Sequence, residues 1–251
     1  MNVRTPICLC AVMLGLAMLA PNAALAQVKP EATEPSGDLA FARFIALIRG
    51  HLLAGDELVK KGQWNAAYPH FRFPTEEIYG VIRDELGEYR TPPFDSALKA
   101  LARTVRARSA AQYPKALEKV DVALAAADAA LKGRQSDWPR FTVAVAVHVL
   151  KTAAEEYEDA VANGRIVHPV GYRTARGFIQ QADNMIESAA PQLPAGDAAA
   201  LADIRGGLDR IKLGFASPDA SLRPALDEKE FYAAVSRVEQ AVGRLMTGRQ
   251  I

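Results

Sequence analysis

The chain has 251 residues, with 30 Lys and Arg against 29 Asp and Glu, four histidines and two cysteines. A net charge of +1 supplies no electrostatic pull toward nucleic acid or an anionic membrane surface, so partners of those classes are not expected. Both cysteines, Cys8 and Cys10, fall within the first apolar run, so the sequence beyond it has no disulfide, thiolate metal site, cysteine nucleophile or haem attachment motif.

That first run reads as a cleavable export signal covering residues 1–26. Arg4 lies in a short leading region, and the apolar stretch from Ile7 to Ala20 is shorter than the ~20 residues a permanent membrane helix needs. Pro21 and Asn22 break it, and Ala24 and Ala26 fit an A-x-A exit, which places cleavage after Ala26 and the expected location in the periplasm. Processing there removes one cation, Arg4, together with both cysteines. Residues 27–37, with two prolines, charge and no apolar period, read as a flexible lead-in.

From Asp38 onward the apolar period is helical. A first helix is expected from Leu39 to Lys61, closed by Gly62, then a short one from Trp64 to Tyr68. Pro74 suits a first helical turn and predicts a new start that continues to about Tyr89, before Thr91-Pro92-Pro93. Helices over 94–109 and 114–131 follow. The stripe Val143, Val147, Leu150, Ala154, Tyr157 and Val161 predicts a helix from Trp138 to Ala162, ended by Gly164. Gly171 to Ala189, Leu201 to Phe215 and Phe231 to Leu245 repeat the device. No segment keeps a period of two. Residues 38–251 are therefore expected to form an all-α, antiparallel helical-bundle domain, with 110–136 as the candidate divide between two packed helical halves. No later apolar stretch is long enough to span a membrane.

Without a thiol, nitrogen and oxygen donors are what remain for a metal. His148 lies in the run Phe141 to Leu150, apolar on every face, so its imidazole is expected to be buried and to need a partner; Glu155 is two turns on along the same face. His51 sits in the stripe of Phe44, Leu47, Ile48, Ala54 and Leu58, with Gly55 one turn on, which leaves space beside the imidazole or weakens the helix; it could face His148 across a bundle core, but no spacing demands it. His70 and the pair Glu76 and Glu77 straddle Pro74; two carboxylates at a helix start are also favoured by the helix dipole. His168, before Pro169, belongs to a solvated turn. For each buried histidine the competing reading is a core imidazole bonded to a neighbouring carboxylate or carbonyl. The aromatic residues Trp64, Tyr68, Phe71, Phe73 and Tyr79 read as the packing of a helix corner, with the mouth of a small-ligand site as the sharper alternative. No G-x-S-x-G, P-loop, H-E-x-x-H or E-x-x-H helix pair is present, so no enzymatic reaction is indicated.

The stretch Glu156-Tyr157-Glu158-Asp159-Ala160-Val161-Ala162-Asn163-Gly164-Arg165-Ile166, followed by Tyr172 and Phe178, resembles the helix, Gly-turn, helix segment of periplasmic helical domains associated with bacterial high-affinity iron permeases. Leu58 to Ala67 with Glu77-Ile78-Tyr79 is similar to the opening helix pair of imelysin-like, EfeO-type iron-uptake proteins. Imelysin-like proteins carry G-x-H-x-x-E, whereas here His51 directly follows Gly50 and no glutamate stands one turn on. The resemblance implies a periplasmic helical protein that binds iron or another divalent metal, or serves a metal-uptake system, with a membrane permease or other envelope protein as partner. The rival expectation is a structural or protein-binding helical module of the envelope that holds no metal.

Overall fold

In the computed structural model, residues 37–215, 224 and 226–247 are described; the export segment 1–26 and the lead-in, apart from Gly37, lie outside the described residues. Helix α1 spans Asp38–Lys60, with Asp38 at its electropositive start. It stops where Gly62 turns to a φ of 71°, which lets the Gly62 and Gln63 N–H groups reach the Val59 and Leu58 carbonyls, each at 2.8 Å.

Helix α2 spans Trp64–Phe73 and takes Pro69 into its interior. The expected break at Pro74 is not there. The helical path widens into a π-helix, Pro74–Ile78, and continues as α3, Tyr79–Ile82, before the turns that lead to Thr91. Proline cannot donate the usual hydrogen bond, and the wider i+5 pattern, in which the Tyr79 N–H reaches the Pro74 carbonyl, accommodates it without ending the helix. Helices α4, Asp95–Arg106, and α5, Tyr113–Lys132, follow as expected to within a few residues.

The Asp137 side chain caps α6, Trp138–Ala160, by accepting the Arg140 N–H at 3.1 Å. Two residues earlier than expected, α6 gives way to a minimal hairpin, β1 (Val161–Ala162) and β2 (Arg165–Ile166), antiparallel with Val161 opposite Ile166. Asn163 and Gly164, with φ of 54° and 65°, form its turn, which is the tight hairpin preference of an Asn-Gly pair. Helices α7 (Pro169–Ala189), α8 (Ala198–Leu213) and α9 (Glu228–Thr247) complete the order. A reciprocal cap starts α9: the Glu230 N–H donates to Asp227 at 2.7 Å, and the Asp227 N–H donates to the Glu230 carboxylate at 3.2 Å.

The fold is all-α apart from that hairpin. Helix α6 packs on α7 and α9, and α8 on α9; α1 lies over α7 and α6, and α2 over α1. Buried apolar side chains from Phe41 to Leu245 form one continuous cluster. Four aromatic rings anchor the second half: Tyr157 stacks on Phe231 with centroids 4.5 Å apart, and Tyr172 on Phe215 at 5.0 Å. Their hydroxyls donate to the Leu226 and Gly214 carbonyls, so both polar tips are satisfied inside the core. Among the described residues no helix is long and apolar enough to cross a membrane.

Candidate functional site

A close crossing of α1 and α7 sets the site. A Cβ added at Gly177 of α7 would run into the Gly50 carbonyl oxygen of α1 and stand 2.9 Å from the Ala54 Cβ. The two backbones therefore touch, as only glycine permits. Arg176 of α7 pairs with Glu57 of α1 beside this crossing. Helix α2 is drawn onto the same helix at Gly55, where an added Cβ would lie 2.7 Å from the Phe71 Cζ. The space beside His51 that Gly55 suggests in the sequence is thus filled by a phenylalanine ring.

With α1 clamped between α2 and α7, His51 and His70 come together. Their ring centroids are 6.1 Å apart at 42°. His51 has 6% of its surface exposed and His70 none, and the edge-on rings of Phe178 (5.1 Å) and Phe73 (6.1 Å) flank His51. The Thr174 hydroxyl of α7 lies 3.3 Å from the His70 Nδ1. Among the described residues, His51 Nδ1 and His70 Nε2 are buried without a hydrogen-bond partner. An unsatisfied buried nitrogen is costly, of the order of 1–3 kcal/mol, and is not what a purely structural imidazole presents.

Burial disfavours the charged imidazolium in both rings. It lowers His51 to about 3, with the neighbouring His70 adding to the effect, and lowers His70 to about 4, with Arg173 adding to it. Both rings are neutral at pH 7, the protonation state in which imidazole is a metal ligand.

The other candidates are placed differently. His148 is half-buried rather than enclosed: Phe141, Ala144, His148 and Thr152 form the less buried stripe of α6 and Glu155 its exposed end. The valine-rich run hid this stripe because Ala144 is apolar yet outward-facing. The ring packed near His51 is His70, from the helix next in sequence. Glu76 is exposed and pairs with Arg72 at 2.9 Å. Glu77 and Glu155 are exposed and act on Glu156, whose carboxyl is pushed up to about 7 by burial first and then by Asp159, Glu77 and Glu155. Among the described residues, no group of three or more His, Cys, Asp or Glu side chains is arranged to hold a metal ion. What the fold assembles is a two-imidazole site. A separate groove of about 370 Å³ between α1, α5, α6 and α7, lined by Arg49, Asp128, Trp138 and Phe141 among others, includes none of these six residues.

Residues 132–248 match the iron permease-associated 4-helix bundle domain. The match takes in α6 to α9 and a little under half the chain, including the Tyr157 to Phe178 stretch that resembles such domains. The second half of the protein is thus similar to a domain described as iron permease-associated. No curated protein and no solved structure matches the chain. The matched residues include Thr174, Gly177 and Phe178, and the helices that precede them supply both histidines. Thr174, Gly177 and Phe178 were not among the sequence candidates as site residues. Their trace in the sequence is the small residues Gly50 and Ala54 on α1 and Gly177 on α7, a close-crossing pattern that carries no chemistry by itself.

Proposed function

We propose that this protein is an exported accessory of an iron permease system that holds a metal ion through the His51 and His70 pair and serves a membrane permease. The observation that carries the metal reading is the pair of buried, neutral imidazoles, each with an unpartnered nitrogen. The match of residues 132–248 supports the link to a permease and to iron as the ion. Export rests on the signal-like residues 1–26.

The two rings fit a metal in kind: imidazole suits iron, copper, nickel and zinc, and neutral nitrogens need lose no proton to bind. Their role is ligation and release, without bond making in a substrate. The test is metal content per chain for the exported protein, its His51→Leu/His70→Leu variant and His148→Leu, each checked for helical content by circular dichroism. About one equivalent in the parent and in the His148 variant, and none in the double variant, is expected. A parent chain with no metal above background, or a folded double variant with undiminished metal, overturns the proposal.

A further inference from the structure

The groove between α1, α5, α6 and α7 contains neither ring of the histidine pair, and its lining has a chemistry of its own. On α1, Ala42 and Ala46 end at Cβ and leave an opening of about 370 Å³, a size that suits a small molecule. Ala42 to Arg49 on α1, Trp138 to Val145 on α6 and Gln181 to Ser188 on α7 each cover two helical turns, so the opening is about 10 Å long. From α6 the half-buried rings of Trp138 and Phe141 stack at 5.7 Å with 29° between their planes and give the groove a flat aromatic wall.

Gln181 is the unusual side chain of this lining. Only 8% of its surface is exposed, yet among the described residues its amide makes no hydrogen bond, and it is not sealed away but opens onto the groove. A buried amide ordinarily has a partner, so a ligand that enters meets a directional donor and acceptor already in place.

The other polar groups fix the sign of the charge. Arg49 and Asp128 pair through two contacts, at 3.0 and 2.7 Å, and cancel one another. Lys132 lines the groove with no ion pair or hydrogen bond among the described residues, and the Trp138 indole N–H, which can only donate, has no acceptor among them. The lining therefore offers an uncompensated cation and free N–H donors beside an aromatic wall.

We infer that this groove is a binding site for a small aromatic carboxylate, whose ring lies against Trp138 and Phe141 and whose carboxylate meets the Lys132 ammonium and the Gln181 amide N–H. A cationic ligand is opposed by Lys132, a neutral ring leaves that charge unanswered, and an aliphatic acid forgoes the stacking. The histidine pair takes no part, so this site and the metal reading stand or fall separately.

Titration of the exported protein with naphthoate, followed by calorimetry and by the indole N–H resonances, tests this. The chain has two tryptophans, Trp64 and Trp138, and the Trp64→Phe variant assigns their signals. Saturable binding that shifts the Trp138 resonance is expected, with naphthamide and octanoate each weaker by about 10-fold or more. Gln181→Leu and Lys132→Gln, each with the parent's helical content by circular dichroism, are expected to weaken naphthoate by about 5- to 10-fold. Arg237→Gln, which removes a cation from the α8 and α9 face, is expected to leave it unchanged. No saturable binding, a shift at Trp64 in place of Trp138, or naphthamide or octanoate bound as tightly as naphthoate overturns the proposal. So does undiminished binding in folded Gln181→Leu and Lys132→Gln, or an equal loss in Arg237→Gln, which reduces the effect to general attraction of an anion.

Discussion

At His51 and His70 the protein keeps two imidazoles buried, and the residues that make this possible are glycines. Gly177 is predicted to be intolerant of even a methyl group, because its Cβ would meet backbone rather than the flexible end of a side chain. Gly177→Ala is expected to destabilise the fold by about 1–3 kcal/mol in urea titrations, the range for overpacking. Gly206→Ala in α8, where nothing lies within 4 Å, is expected instead to be neutral or stabilising by up to about 1 kcal/mol. Equal effects at the two glycines would contradict the account of the crossing. At this scale the sequence was partly informative. It named His51 from its apolar stripe and His70 from its place beside Pro74 and two carboxylates, but the ring it offered as a partner across the core from His51 was His148. Which imidazole faces which is decided by where two helices cross, and residue spacing within one helix carries no record of that.

Among the elements, the helices were legible and their interruptions were not. Apolar stripes with Gly and Pro punctuation located α1 and α4 to α9 within a few residues. Pro74 was read as a break, because its missing N–H is the local signal, whereas a π-helix absorbs it and keeps Phe73 beside His51. The end of α6 was misplaced for a related reason: the apolar pattern runs on through Val161, but Asn163-Gly164 folds the chain into a hairpin. The end of α6 also carries the acidic corner at Glu156, and this makes a pH prediction. The folded-state carboxyl lies near 7, above the ordinary 4.5, so its contribution to stability is complete below about 4.5 and is lost as pH rises through 7. Glu156→Gln is therefore expected to raise the urea midpoint at pH 8, where the charged carboxylate faces Asp159, Glu77 and Glu155, and to match the parent near pH 4. A gap that is the same at both pH values would contradict that arrangement.

Over the whole molecule, the bundle of α6 to α9 is one layer and the helices α1 to α5 are laid beside it, with α1 as the shared member of the contact. The fold class was readable from periodicity, and the iron-permease resemblance from Tyr157 to Phe178. Those motif residues prove to be core: Tyr157 and Tyr172 hold the aromatic stack, and Phe178 walls the histidine pair. The motif thus marked the scaffold, while the candidate ligands came from outside the matched residues. The matched residues supply a floor, through Thr174, Gly177 and Phe178, against which α1 and α2 place their histidines. The most direct measurement is anomalous diffraction from crystals of the protein loaded anaerobically with Fe(II) or Cu(I). The account predicts one strong peak between the two rings, within ~2.0–2.2 Å of His51 Nδ1 and His70 Nε2. A peak at His148, a peak in the Glu77, Glu155 and Glu156 corner with none between the rings, or no peak at all would contradict it.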